Sequence, residues 1–499
     1  MSEPEVFMLI AVALGLCFVN WRTGILLCVL IGFLQDPMRK IVPSEPVYLT
    51  ALVGGAMTVT FLGAQFHNVR LSFKPIHAWN NSMRTPITLF IGLVLIQSVA
   101  GFIRTGSVVV AIIGILAYLS PMPAILLGYQ FGRTQRDVTK LITLYVFIGI
   151  ILMSGVYLSH AGLDWRILKQ VGEGLVIYDP KLGKILLFSG FLRTPETAAW
   201  HGATVACFIV LLSLTVNRKV SFKLGAGAFV LFVLGALVLT GRRKFLVEFI
   251  LFVAIYMVFL LWFSKTIRSA MLSKAVLLFG GLVIVASTVY LYVSPEEYEQ
   301  QVRPYYERGV NVQSEASGRL SDLTINSFQY VIERNGILGS GAGTGSQGSQ
   351  YFRQEDDIVG GAAEGGLGKA LAELGVPGLV LILWLSIAVA RYLWSIVRFI
   401  KYTKDLNPEL GKLIFGLMAF LITNGMVYLI AHQVYGDPFV LILLGLFLGF
   451  VIGTPKMHVA GQAAKGQIPV RPIGAVPVNI LQTMPPARAL GESQFASDK

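Results

Sequence analysis

Residues 224–263 read LGAGAFVLFVLGALVLT, then GRRK, then FLVEFILFVAIYMVFLLWF. The apolar runs Leu224–Thr240 and Phe245–Phe263 are each about as long as a helix needs to cross the roughly 30 Å hydrocarbon core of a bilayer. The four residues between them join the two as adjacent crossings. The same pattern recurs at Val47–Phe66, Ile87–Phe102, Val108–Phe131, Val138–Ser159, Thr197–Val216, Ala275–Val293, Leu374–Tyr392, Leu413–Ala431 and Phe439–Ile452. Only 13% of the residues are charged and the mean hydropathy is +0.70, which excludes a soluble globular domain. Near the start, Val6–Val19 and Ile25–Leu34 are each short and flank Asn20-Trp21-Arg22-Thr23-Gly24. They read as two short spans or one broken span. The expected fold is an all-α polytopic membrane protein with 12–13 transmembrane helices and one large periplasmic loop.

Charge sets the expected orientation. Basic clusters fall in alternate connections: Arg70/Lys74/Arg84, Arg133/Arg136/Lys140, Arg218/Lys219/Lys223, Lys265/Arg268/Lys274, and Arg391 to Lys412. Short basic loops stay in the cytoplasm. With thirteen spans, that side carries 23 Lys/Arg and 5 Asp/Glu and the other 17 and 22, net charges of +18 and −5 that give the chain's +13. The basic balance is thus a topology signal and argues against nucleic-acid binding. Met1-Ser2-Glu3-Pro4-Glu5 lacks the positive start of a cleavable signal peptide. Cys17, Cys28 and Cys207 fall in apolar spans, so neither a disulfide framework nor a metal cluster is expected.

The organisation follows: an N-terminal membrane bundle over 1–293, a large outer loop over 294–373, C-terminal spans over 374–455, and a disordered cytoplasmic tail over 456–499. No internal repeat of the inverted-transporter kind is visible. The outer segment from His160 to Glu196 is polar. The loop from Ser294 opens with Pro295 and acids in a first helical turn. Arg319 then leads an amphipathic stretch with Leu320, Leu323, Phe328, Val331 and Ile332 near helical spacing, ended by Gly336. Gly339, Gly341, Gly343, Gly345 and Gly348 make regular structure unfavourable and are expected to leave backbone N–H groups free.

The residues that could carry chemistry gather on the expected outer face. Arg242, Arg243 and Lys244 defy the basic-loops-inside bias, and guanidinium forks grip phosphate oxygens in pairs; the bland reading is a membrane rim meeting lipid phosphates. Arg193 stands just before a span, and each lone arginine could equally be a solvated charge or an ion-pair partner. Glu364, between small residues in Ala362-Ala363-Glu364-Gly365-Gly366, could be approached by substrate and accept a proton. Glu373 reads as structural, at a helix N-terminus. Glu355-Asp356-Asp357 could hold a divalent cation or be a solvated loop. His201 and His432 read as core histidines, and Asp437 as a turn residue.

Four places resemble the O-antigen ligase / O-antigen polymerase superfamily, polytopic enzymes that transfer glycans from undecaprenyl diphosphate. Leu239-Thr240-Gly241-Arg242-Arg243 is similar to its Ser-Arg-small motif. Gly190-Phe191-Leu192-Arg193-Thr194-Pro195 resembles its glycine-aromatic-x-Arg-x-Pro entry to a span. Gly318-Arg319-Leu320 through Gly339-Ser340-Gly341-Ala342-Gly343 resembles an arginine-led helix and Gly-x-Gly turn. Glu364 with Glu373-Leu374-Gly375-Val376-Pro377-Gly378 resembles the His-Asn and Glu-Leu-Gly-x-x-Gly pair, with Glu364 where the ligases have His and Gly365 where Asn would follow. The likeness runs roughly over residues 185–455.

The resemblance implies an inner-membrane glycosyltransferase with a periplasmic active face and no metal or other cofactor. Arg193, Arg242, Arg243 and Arg319 would bind the donor diphosphate, and Glu364 would be the catalytic base. The partners implied are an undecaprenyl-diphosphate-linked glycan donor, a glycan acceptor, the lipid bilayer and other polysaccharide-export proteins. The departure at Glu364 favours a polymerase over a ligase. Rivals are a lipid-linked oligosaccharide flippase or transporter, and a metal-dependent enzyme centred on the acidic triplet.

Overall fold

The computed structural model describes residues 3–42, 44–171, 176–179, 183–215, 220–263, 327–346, 349, 352, 365–403, 405–430 and 432–464. The expected span Ala275–Val293, the acidic triplet, Arg319 and Glu364 lie outside the described residues. The chain is an all-α polytopic membrane protein, and nine helices among the described residues are long and apolar enough to cross a bilayer.

The N-terminal ambiguity resolves into two helices, α1 (Glu3–Val19) and α2 (Trp21–Ile41). Between them Asn20 has extended geometry, and its side chain accepts from the N–H groups of Arg22 and Thr23. A polar residue placed this way satisfies donors that a new helix leaves unpaired. Both helices pack on α3 (Leu52–Phe66). Next come α4 (Lys74–Trp79) and α5 (Arg84–Thr105), the latter closed by Gly106 at φ 66°. The expected span Val108–Phe131 is divided at Ser120 into α6 (Val108–Leu119) and α7 (Pro121–Phe131). Pro121 and Pro123 supply no N–H there, which suits a helix start better than a helix interior.

Thr134 and Asp137 cap each other at the start of α8 (Gln135–His160). The polar segment after it contains an antiparallel hairpin, β1 (Val176–Asp179) with β2 (Gly183–Leu186), in which Val176 faces Leu186. Helix α9 (Pro195–Thr215) is the centre of the bundle, buried along almost its whole length. It is packed by α8, α10 (Val220–Leu239), α11 (Lys244–Phe263) and a helix later in the chain, Pro408–Ile430.

The short helix α12 (Ser327–Asn335) ends at Gly336, which has φ 77° as its place after the last turn requires. Then α13 (Gly366–Tyr402) is broken at Gly375, and its parts 366–374 and 376–402 meet at a kink. Helices α14 (Pro408–Ile430) and α15 (Pro438–Ile452) complete the bundle. One expectation is corrected here. The chain does not lose structure at Ile452 but bends by 56° into α16 (Thr454–Ala464). Met457 and His458 are buried there, and the Lys456 ammonium donates to Tyr129 O and Gln130 Oε1 at 3.3 and 2.8 Å. Those contacts provide what composition alone did not suggest. Residues 465–499 lie outside the described residues.

Candidate functional site

The site is built from helix ends that meet on one side of the bundle. Helix α10 ends where Thr240 Oγ1 donates to Leu237 O at 2.6 Å and Gly241 turns the chain at φ 65°. A Cβ at Gly241 would come within 2.2 Å of Leu187, so the positive φ and the close neighbour both require glycine. This turn delivers Arg242 and Lys244 to one carboxylate, Glu196, in the first turn of α9. Arg242 Nε lies 3.3 Å from Glu196 Oε2, and the Lys244 ammonium pairs with Oε1. Glu196 is buried, while the side chains of Arg242 and Lys244 keep 21% and 26% exposure. Two of the three cations on the expected outer face thus have an inbuilt counter-charge.

Deeper between the same helices runs a polar chain. The Trp200 indole N–H donates to Asn424 Oδ1 at 2.8 Å, and Asn424 Nδ2 donates to Glu248 Oε1 at 3.1 Å. Tyr435 hydroxyl donates to Asn424 O at 3.0 Å and lies 3.1 Å from its Oδ1. Glu248, one turn beyond Lys244 on α11, is fully buried, and its second oxygen has no hydrogen-bond partner among the described residues. His201 is held by Tyr145 at 2.7 Å and packed among Phe33, Trp200 and Phe439, the core role expected of it.

Arg193 has a different surrounding from the solvent-facing grip expected of it. Its NH1 lies 3.4 Å from Asp36 Oδ1 and its NH2 lies 2.7 Å from Asp437 Oδ2, while its backbone N–H donates to Asp36 Oδ2 at 3.0 Å. Only about a tenth of the side chain is exposed, 10% against 2% for each partner. Nearby, Lys40 donates to the carbonyls of Gly190 and Leu192, each at 2.7 Å. Asp437 also accepts from the Phe439 N–H at 2.8 Å, capping α15, so its expected turn role is joined by an ionic one. Burial raises the Asp437 pKa above the ordinary carboxylate value, with Arg193 pulling the other way. Two acids and two bases therefore lock the Gly190–Thr194 turn from which α9 and Glu196 start.

The glycine-rich turn also departs from expectation, because its N–H groups are not free. Ser340 N–H donates to Ala372 O, Gly341 N–H to Glu373 O, and Ala342 N–H to Gln97 O, at 2.8 to 3.0 Å. Glu373 Oε1 accepts from Gly345 N–H and Ser346 Oγ, both at 2.9 Å, while Oε2 accepts from Tyr118 hydroxyl at 2.7 Å. Glu373 lies just before the Gly375 kink rather than at the start of α13. It is structural, as expected, but works by seating the turn against α5, α6 and α13.

Of the expected site residues, Arg242 and Arg243 share the cation turn and Arg193 lies in the adjoining lock. Arg319 and Glu364 lie outside the described residues, although Gly365, the residue just before α13, stands at this same end: a Cβ there would approach Leu429 O, near the end of α14, at 2.6 Å. Sequence reasoning missed Glu196, Asp36, Lys40, Glu248 and Asn424. Signals existed for three of these. Glu248 is a carboxylate within the apolar run Phe245–Phe263, and intramembrane charges are functional by default. Asp36 and Lys40 stand four apart straight after an apolar run, hence on one helix face.

Residues 228–383 match the family model described as O-antigen ligase. No curated protein matches the chain. The matched stretch includes both the cation turn and the kinked start of α13, and its similarity to that family supports the resemblance to the O-antigen ligase/polymerase superfamily.

Proposed function

We propose that the chain is a glycan polymerase of the bacterial inner membrane, acting on the periplasmic face. It transfers an oligosaccharide from undecaprenyl diphosphate to a sugar hydroxyl during O-antigen or exopolysaccharide synthesis. The observation that carries this reading is the cation turn, where Arg242 and Lys244 of the family-matched stretch are held by the buried carboxylate of Glu196. A diphosphate, with more charge and more oxygens than Glu196, competes for the same cations and pairs with guanidinium forks. Arg242, Arg243 and, from its sequence position, Arg319 hold that diphosphate and stabilise the charge it carries as it leaves. Arg193 acts one step back, locking the turn that sets Glu196.

In the transfer, the acceptor hydroxyl oxygen attacks the anomeric carbon while the bond from that carbon to the diphosphate oxygen breaks. The hydroxyl proton passes to Glu364, and undecaprenyl diphosphate departs with the electron pair. No metal is needed, because fixed cations meet the developing charge. General-base assistance contributes about 10²–10⁴ in rate, so Glu364→Gln is expected to remove polymer at least a hundredfold while protein level and membrane insertion hold. Normal polymer from that variant would eliminate the base.

The family description itself favours the ligase reading as second choice. Deleting the gene and sizing the glycan separates the two. Single repeat units left on the lipid indicate a lost polymerase, and long chains stranded there indicate a lost ligase.

A further inference from the structure

Lys369 stands on the first turn of α13, four residues before Glu373. It is only 7% exposed. Its ammonium lies 5.6 Å from the centre of the Tyr118 ring. Among the described residues no carboxylate is within ion-pair distance of it. Glu373, the nearest acid in sequence, has both oxygens engaged by Tyr118, Gly345 and Ser346. A cation over an aromatic face recovers only part of what burial of an ammonium costs. Among the described residues, then, the chain supplies no anion to complete this lysine.

The surroundings select the kind of anion. α13 starts at Gly366 without an acid in its first turn and without a side-chain cap, so its leading N–H groups also favour negative charge. Tyr428 flanks that start, donating to Gly366 O at 3.0 Å. Its ring packs edge-on against Tyr435 at 5.5 Å, and Tyr435 in turn bonds Asn424. From Asn424 the contacts continue to Trp200 and Glu248, the helices that carry Glu196 and Lys244. The Lys369 ammonium and the cation turn therefore stand at the same end of the bundle, on either side of α14.

We propose that Lys369 is a second binding point for the phosphate oxyanions of the lipid-linked donor, facing the cation turn across α14. This rests on the reading of the chain as an undecaprenyl-diphosphate glycan transferase. Arg242 and Arg243 engage the diphosphate from the α10–α11 side, and Lys369 engages it from the start of α13. Lysine suits this role because its three donors serve a phosphate as a point charge.

The test uses the full-length protein in neutral phosphatidylcholine nanodiscs, with undecaprenyl diphosphate as the probe. Binding is measured for the wild type and for Lys369→Gln, Lys369→Arg and Arg242→Gln, together with the melting temperature of each. The expected result is at least a tenfold loss of affinity in Lys369→Gln at an unchanged melting temperature. Lys369→Arg is expected to stay within about threefold of wild type, because it keeps the charge. Salt should weaken wild-type binding more than it weakens Lys369→Gln.

Wild-type affinity in Lys369→Gln, alongside a clear loss in Arg242→Gln, would overturn the Lys369 site and leave the transferase reading standing. No binding by the wild type, or no loss in either variant, would overturn both. The lysine would instead be a site for bilayer headgroups if the Lys369→Gln defect were absent in neutral lipid and emerged only with phosphatidylglycerol present. That result also overturns the proposal.

Discussion

Arg193 and Arg242 stand on neighbouring turns and have opposite energetics. Arg193 is buried between Asp36 and Asp437, with its ion-pair nitrogens committed to them. Removing one member of a buried pair leaves an uncompensated charge and costs about 3–5 kcal/mol, a large share of the roughly 5–15 kcal/mol that typically holds a fold together. Arg193→Ala is therefore expected to lower the melting temperature of the purified protein and broaden its size-exclusion peak, whatever its effect on transfer. Arg242 is partly exposed and Lys244 also pairs with Glu196, so removing the Arg242 charge leaves the carboxylate a partner. Arg242→Gln should keep the wild-type melting profile and lose polymer. A stable Arg193→Ala protein that lacks only activity would return Arg193 to the diphosphate. Its motif made Arg193 legible from sequence, but its partners did not follow from local spacing. Asp36 lies 157 positions before it and Asp437 lies 244 after it, and only the folded bundle joins them.

At the level of elements, the glycine-rich turn and the α13 kink form one unit. Val376 N–H donates to Ile337 O at 2.9 Å, so the kink that frees this N–H also provides the carbonyl's partner. Gly341 has φ 103°, and a Cβ there would stand 2.3 Å from Gly101 N on α5. Backbone at that distance cannot give way as a flexible side chain could. A side chain at such a φ alone costs about 1–3 kcal/mol. Gly341→Ala is expected to unseat the turn, seen as faster cleavage near residues 336–346 in limited proteolysis and as loss of polymer. Gly54→Ala, on α3 with open space around it, serves as the control and should be neutral or about 0.4–1 kcal/mol stabilising, through a less flexible unfolded chain. The glycine spacing disclosed an irregular segment and Gly336 disclosed the end of α12. The acceptors of the turn's N–H groups stayed hidden, because Gln97, Ala372 and Glu373 belong to helices that the sequence presents only as spans.

For the molecule as a whole, the spans were legible because a bilayer demands long apolar helices, and nearly every expected span among the described residues has its helix. Helix α2, which runs on past the expected Leu34, and α16, which was not expected, have polar residues satisfied by tertiary partners such as the Arg193 turn and Tyr129, which hydropathy does not register. Orientation is the remaining link between architecture and the proposed function, which requires the cation turn to face the periplasm. The ends of the bundle can be told apart by contacts. His160 packs edge-on against Phe188, whose N–H donates to Leu239 O beside the cation turn, whereas Gln135, at the other end of α8, accepts from Asn407. Cys17, Cys28 and Cys207 are buried, which makes the native chain a quiet background for a membrane-impermeant maleimide. Ala161→Cys and Asp405→Cys each place one thiol at an exposed position, at opposite ends. Basic loops retained in the cytoplasm predict label on Ala161→Cys in intact spheroplasts and on Asp405→Cys only after permeabilisation. The reverse pattern would put Glu196, Arg242 and Lys244 inside the cell, away from any exported glycan, and transfer at that turn would have no substrate.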